Sequence, residues 1–226
     1  MTALIVLAQK QAKLLVAQAI AHKLKATTQR VYIAYGSTNQ MILDALGNHA
    51  KNYFNGYVNS GLEANKDRPE IVILNNTDED FAKSINANDI IIKGANALSY
   101  ENGKYRAAVA VASPNGGTYA NVMIKASCVG ARVLIPITHE KLVPQLLSGN
   151  YNQNSFDYVD GLPIALIEHT YGDIYTEINA FKDEYNLNAQ IYLAGSISES
   201  NRSLTFILKG EKNAINKLLK WKEGVS

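Results

Sequence analysis

The sequence predicts an α/β fold, in which a mostly parallel, Rossmann-like sheet has helices on both faces. The clearest indication is the run Ile90-Ile91-Ile92, since three β-branched residues without polar alternation are typical of a strand buried on both faces. Other short apolar segments, at residues 31–35 and 132–137, alternate with helical patterns, as in repeated strand–helix units. Polar, glycine-containing turns follow these strands, and open α/β sheets bind ligands at the carboxyl ends of their strands.

Composition narrows the class of protein. The chain has 226 residues, which suffice for one large domain or for a main domain with a small partner. The net charge is +2, and because the lysines and arginines are scattered, a nucleic-acid partner is not indicated. No apolar run approaches the ~20 residues that span a membrane. The apolar residues 1–8 lack the basic region of a signal peptide, so we expect a cytoplasmic protein without a membrane partner.

The single cysteine, Cys128, excludes an internal disulfide and a zinc site made of several cysteines. It lies in an apolar helical stretch, and we therefore expect a small buried side chain rather than a nucleophile.

The first elements form a strand–turn–helix unit. A helical pattern over residues 8–26 precedes a strand at residues 31–35, which ends at Gly36-Ser37-Thr38-Asn39, and a helix follows at residues 41–46. This order is typical of an anion site, because free N–H groups, hydroxyls and the positive end of the helix dipole converge. The alternative is that Ser37 or Thr38 only caps the helix.

The next segment is a long connection. Residues 47–69 have no clear period, so we predict a flap over the pocket or an oligomer contact. A strand at residues 70–74 and a short helix capped by Thr77 follow. After Ile92 the chain turns through Lys93-Gly94-Ala95-Asn96, and Asn102-Gly103 predicts a β-hairpin leading into a strand at residues 107–112.

Two more polar turns follow strands in the second half of the chain. The strand at residues 107–112 leads into Asn115-Gly116-Gly117-Thr118, after which residues 119–129 form a helix that Gly130 ends. The strand at residues 132–137 ends at Thr138-His139-Glu140-Lys141, on the same edge if the strands run parallel.

A polar, turn-prone stretch at residues 148–161 indicates a boundary between an α/β domain, residues 1–155, and a small α+β domain, residues 160–226. The second part reads as a strand at 163–168, a helix at 174–185, strands at 189–194 and 203–208, and a helix at 211–221. This βαββα order predicts a ferredoxin-like domain without an obvious last strand.

The turns at residues 36–39, 93–96 and 115–118 together predict one pocket for a phosphate or carboxylate; the alternative is three ordinary loop turns. Lys93, directly after three isoleucines, either reaches solvent or points at a negative group. The candidate ligand-binding residues are Gly36, Ser37, Thr38, Asn39, Lys93, Gly94, Asn96, Asn115, Gly116, Gly117 and Thr118.

Two carboxylates, Glu101 and Glu140, are candidate catalytic groups that would move a proton. His139-Glu140 does not begin a zinc-protease motif, because residue 143 is valine, and we predict no metal site. The cofactor, if any, stays open.

Residues 8–145 resemble the superfold of ribose-5-phosphate isomerase, glucosamine-6-phosphate deaminase and the CoA transferases. Residues 31–46 match its strand, phosphate turn and helix, and residues 89–96 match a strand ending in a Gly-Ala-Asp type turn. In the isomerases that turn carries an aspartate, whereas Asn96 here cannot act as a general base. Glu101-Asn102-Gly103 is similar to the element that holds the nucleophilic glutamate of CoA transferases, but Tyr100 replaces its serine.

Two functions remain open. The first is an enzyme acting on a phosphorylated sugar, in which Ser37, Thr38 and Lys93 bind and Glu101 or Glu140 moves a proton. The second is a non-catalytic binding or sensor protein, in which Asn96 reads the ligand and the C-terminal domain mediates assembly. Both imply a small anionic metabolite as partner, and we also expect a homo-oligomer.

Overall fold

The structure is a computed structural model of one chain, and it describes residues 1–47, 71–74, 79–159, 163–195 and 203–225. Within these ranges the strands are β1 (Thr2–Ala8), β2 (Val31–Ala34), β3 (Ile71–Leu74), β4 (Ile90–Ile92), β5 (Ala97–Glu101), β6 (Lys104–Val111), β7 (Arg132–Pro136), β8 (Ala165–Glu168), β9 (Asp173–Tyr175), β10 (Asn188–Ala194) and β11 (Ser203–Lys209). The α-helices are α1 (Gln9–Lys25), α2 (Ser37–Ala45), α3 (Glu79–Ser84), α4 (Ile124–Val129), α5 (Glu177–Tyr185) and α6 (Lys212–Gly224). None of the helices in these ranges is long and apolar enough to cross a membrane.

A parallel sheet in the order β3-β2-β4-β7-β9 forms the centre of the fold and confirms the predicted α/β class. Successive side chains of a strand point to opposite faces. Accordingly, Ile90 and Ile92 join a core cluster with α1 and α2, while Ile91 packs on the other face against β7 and the helix that includes α4. The three isoleucines are buried on both faces, as their pattern predicts.

The second sheet, β5-β6-β8, begins with the predicted hairpin. Asn102 and Gly103 have φ values of 52° and 78°, as a two-residue turn between antiparallel strands requires. The hairpin directs β6 back toward the carboxyl ends of the parallel strands.

The third sheet, β1-β11-β10, joins the two ends of the chain: β1 runs antiparallel to β11 over its whole length, from Thr2 opposite Lys209 to Ala8 opposite Ser203. In addition, β8 pairs with β6 and β9 pairs with β7. The predicted ferredoxin-like C-terminal domain is therefore not confirmed, because every strand after residue 163 pairs, directly or through β11, with a strand from the first part of the chain.

Two local predictions need correction. Residues 174–185 are not one helix: β9 adds to the parallel sheet first, and α5 begins only after Thr176, whose N–H is accepted by the Asn179 side chain at 2.9 Å. Cys128 is exposed rather than buried, because Ala126 and Val129 are the residues of α4 that pack on the core.

The helix predicted at residues 119–129 is present, with one feature that the pattern did not show. It starts as a π-helical turn, Tyr119–Met123, and continues as α4 up to Gly130, whose φ of 75° ends the helix as expected. Nearly all of the connection predicted for residues 47–69, and the cap predicted at Thr77, lie outside the described residues.

Candidate anion-binding site

A cleft of about 730 Å³ opens at the carboxyl ends of β2, β4 and β7. All of the predicted ligand-binding residues line it except Asn115, which is exposed on the surface. The cleft gathers these residues because β2, β4 and β7 run parallel, so that the turns following β2 and β4 emerge at one edge of the sheet. The β5–β6 hairpin brings the turn containing Gly116 to the same place.

One wall of the cleft is the first turn of α2. The N–H of Gln40 donates to the Gly36 carbonyl at 2.9 Å, so the N–H groups of residues 37–39 precede the first hydrogen bond of the helix. Gly36 is the N-cap residue, and no side chain caps the helix. The alternative in which Ser37 or Thr38 serves only as a cap is therefore not confirmed.

Asn39 connects this wall to β4. Its side chain is fully buried, and its Nδ2 donates to the Ala34 carbonyl at 2.6 Å. Its Oδ1 has no hydrogen-bond partner within the described part of the chain. A Cβ on Gly94 would lie 3.8 Å from that oxygen, so the amide sits directly beneath the turn that follows β4.

Lys93 is the first residue after β4 and is half-buried in the cleft. Burial lowers the pKa of its amine to about 8, since an apolar surrounding disfavours the charged form. Among the described residues, no carboxylate forms an ion pair with it. Lys93 is thus a partly desolvated cation without a counter-charge in the described part of the chain.

A second lysine, Lys141, also lines the cleft, and the ligand-binding prediction did not include it. Its Nζ donates to the Ala95 carbonyl at 2.6 Å. Burial and the nearby charge of Lys13 lower its pKa, while Glu140 opposes the change. The sequence feature that could have identified Lys141 is the polar turn at residues 138–141, which follows a strand of the parallel sheet. The described lining contains two lysines and no carboxylate, so the site favours anions.

His169 lies behind the turn that follows β4. Its ring is buried, and its Nε2 is 3.3 Å from the Gly94 carbonyl. Burial, and to a smaller extent the charge of Lys93, lower its pKa to about 4, against the effect of the Gly94 hydrogen bond. The imidazole is therefore neutral at physiological pH and adds no second positive charge beside Lys93.

The turn after β6 needs its glycines. Gly116 has a φ of 76°, and a Cβ there would come within 2.6 Å of the Ala120 Cβ. Gly117 also has a positive φ, 51°, and Thr118 follows as a buried residue. Without side chains at 116 and 117, the backbone itself forms this wall of the cleft.

Asn96 lines the cleft, but one of the two polar groups of its side chain is hydrogen-bonded within the protein. Its Oδ1 accepts a hydrogen bond from the N–H of Ala110 at 3.0 Å, which ties the turn after β4 to β6. Its NH₂ group is the part of the side chain left to meet a ligand.

The two predicted catalytic carboxylates are not brought to the cleft. Glu101 accepts hydrogen bonds from the Ser99 hydroxyl at 2.5 Å, the Leu146 N–H at 3.1 Å and the Arg106 guanidinium at 2.6 Å. Glu140 is buried in an ion pair with Lys13 at 2.9 Å. Neither lines the cleft, and both hold elements of the fold together.

In the turn at residues 138–141, one side chain faces the cleft and another is buried in the core. Lys141 faces the cleft, whereas His139 is buried, with its Nδ1 2.6 Å from the Glu177 carboxylate and its Nε2 2.8 Å from the Tyr105 hydroxyl. These contacts join β7 to α5 and β6. Tyr35 and Tyr119 also line the cleft, and no pattern in the sequence marked them as site residues.

A scan against protein-family models and a search of curated proteins found no match. Solved structures similar to this chain include eIF2B delta from Chaetomium thermophilum, with 12% identity, a TM-score of 0.43, and coverage of 75% of this chain and 57% of the other. The 5-methylthioribose 1-phosphate isomerase from Pyrococcus horikoshii has 14% identity, a TM-score of 0.43 and coverage of 74% and 54%. Ribose 5-phosphate isomerase A from Neisseria gonorrhoeae has 11% identity, a TM-score of 0.39 and coverage of 90% and 78%.

The chain spans little more than half the length of the first two. At such identities and TM-scores, the similarity assigns neither an activity nor a ligand to this chain.

Proposed function

We propose that the cleft binds a small phosphorylated metabolite. The observation that carries this proposal is Lys93, a half-buried cation without a carboxylate partner among the described residues, in a lining that contains no acidic side chain. An uncompensated buried charge is costly, so a lysine in this position is best accounted for by an anion that binds to it.

The geometry around Lys93 favours a phosphate over a single carboxylate. Residues 37–39, whose N–H groups precede the first hydrogen bond of α2, line the same cleft as Lys93, Gly116 and Gly117. A phosphate has several oxygens that accept hydrogen bonds from different directions, which matches donors on several separate walls. The volume of about 730 Å³ lies in the usual range of small-molecule sites, about 300–1,000 Å³.

The lining favours binding over carboxylate-based catalysis. A sugar-phosphate isomerase that removes a proton with Glu101 or Glu140 would need one of these carboxylates at the ligand, and neither lines the cleft. The same holds for a CoA-transferase-like role of Glu101, whose carboxylate accepts three hydrogen bonds from the protein. Nothing in the described residues supports that alternative.

Calorimetric titration with inorganic phosphate, ribose 5-phosphate and ribose tests the proposal. We expect the two phosphate compounds to bind and ribose not to bind. Lys93→Met should weaken phosphate binding by roughly tenfold or more, because a hydrogen bond to a charged group contributes about 1.5–3 kcal/mol. Lys104→Met, at an exposed lysine of the β5–β6 hairpin, is the matched control and should bind as the wild type does.

Two outcomes would contradict the proposal. If neither phosphate compound binds to the wild-type protein, the cleft is not a phosphate site. If Lys93→Met and Lys104→Met bind phosphate equally well, the anion is held elsewhere.

A further inference from the structure

The cleft offers an unusual selection of reactive groups. Within the described part of the chain, its lining includes two primary amines, several hydroxyls and phenols, and amide groups, but no carboxylate, thiol or imidazole. The described lining therefore supplies neither a carboxylate or imidazole base nor a thiol nucleophile. A primary amine, in contrast, reacts directly with an aldehyde or a ketone.

The two amines differ in availability. The Nζ of Lys141 donates to the Ala95 carbonyl at 2.6 Å, and Glu140 and Lys13 are close to it. Lys93 has neither an ion pair nor a side-chain hydrogen bond within the described residues. It is held at the end of β4, whose backbone is fixed between β2 and β7. Lys93 is thus the amine that is positioned by the fold and still free to react.

We propose that the Lys93 amine forms an imine with the carbonyl carbon of a phosphorylated aldehyde or ketone bound in the cleft. This inference rests on the proposed function, since the phosphate places the carbonyl. The nitrogen lone pair attacks the carbonyl carbon to form a C–N bond, and the carbonyl oxygen takes up protons. The oxygen then leaves as water, the nitrogen loses its two protons, and a C=N bond remains.

The electrostatics of the site are consistent with this chemistry. Only the neutral amine is a nucleophile, and with a pKa of about 8, roughly half of Lys93 is neutral at pH 8. His169, held against the Gly94 carbonyl on the next residue, stays neutral and so does not further oppose protonation of the imine. Arginine at position 93 would keep the charge but could not form the imine.

Trapping with borohydride tests the inference. The protein is incubated with glyceraldehyde 3-phosphate and sodium borohydride, which transfers hydride to the carbon of C=N and makes the adduct permanent, and peptides are then analysed by mass spectrometry. We expect modification of Lys93 at least tenfold above that of any other lysine. Excess inorganic phosphate should suppress the modification, and unphosphorylated glyceraldehyde should produce much less of it.

Variants separate the imine from the binding of phosphate. Lys93→Arg should still bind inorganic phosphate but produce no adduct at position 93, whereas Lys104→Arg should leave the adduct at Lys93 unchanged. If the wild type binds phosphate and Lys93 is not modified above the other lysines, the imine is refuted while the proposed function stands. If phosphate does not bind at all, both proposals are refuted.

Discussion

Lys93 obtains its properties from the point at which β4 ends. Ile90, Ile91 and Ile92 are buried on both faces of the sheet, and the next side chain emerges between the ends of β2 and β7. At that position a four-carbon side chain remains half-buried, and its amine is partly desolvated. Lys104 has the same side chain, but it is exposed, so its amine is not desolvated by the protein.

The lowered pKa of Lys93 predicts an effect on stability in the absence of ligand. Below pH 8 the amine is charged in both the folded and unfolded states, and the folded state bears the full cost of burying the charge. Between about 8 and the ordinary value of 10.5, the unfolded chain binds more protons than the folded one, so stability rises with pH.

Lys93→Met should therefore raise the melting temperature at pH 7, and its advantage over the wild type should shrink as the pH rises from 8 to 10.5. Thermal unfolding across this range in phosphate-free buffer measures the difference. A variant that is less stable than the wild type at pH 7 would show that the amine has a stabilising partner.

At the scale of elements, the β5-β6-β8 sheet is held together by a network of charged groups beside the cleft. Arg106 on β6 donates to Glu101 on β5 and to Glu168 on β8, and Glu101 also accepts the N–H of Leu146. Because β6 continues from this network into the wall of the cleft, the network positions the site without contacting a ligand.

Glu101→Gln tests this structural role. The Ser99 hydroxyl, followed by the Leu146 N–H and Arg106, lowers the pKa of the Glu101 carboxyl, so the stabilisation is present at neutral pH and is lost as the pH falls below 4.5. We expect the variant to melt at a lower temperature at pH 7 and to lose less stability on acidification. Its affinity for inorganic phosphate should match that of the wild type.

The exposed Glu223 on α6 offers a control in which the same charge is removed. Glu223→Gln should leave the melting temperature, its dependence on pH and the affinity for phosphate unchanged. Loss of phosphate binding in Glu101→Gln, with an unchanged melting temperature, would instead indicate that Glu101 belongs to the site.

At the scale of the whole molecule, the pairing of β1 with β11 joins the start of the chain to its end. One side of β1 packs on the main core: Ile5 and Leu7 are buried in the cluster that also contains Phe206. Leu4, the neighbour of Ile5 on the opposite side of the strand, is 60% exposed. The first residues of the chain are therefore part of the core that the C-terminal strands complete.

This arrangement predicts different effects for two adjacent substitutions. Ile5→Ala should lower the free energy of unfolding by about 2–5 kcal/mol, because it leaves a cavity in the core. Leu4→Ala should change it by about 0.5 kcal/mol or less. Urea unfolding measures both, and equal effects would contradict the packing of β1.

The predicted homo-oligomer and cytoplasmic location stay predictions.

The sequence by itself determined the α/β class, the hairpin at Asn102-Gly103, and the turns at residues 36–39, 93–96 and 116–118 that line the cleft. These features are local: apolar periodicity and the requirement of glycine for positive φ act on neighbouring residues, so a short stretch of sequence carries them.

Only the tertiary structure decided that β1 pairs with β11, that β9 extends the parallel sheet, that Lys141 reaches the cleft, and that Glu101 and Glu140 do not. Each of these features depends on contacts between residues that are distant along the chain. They depend on which apolar faces bury one another and which charges find partners across the whole molecule, and no local pattern specifies such partners.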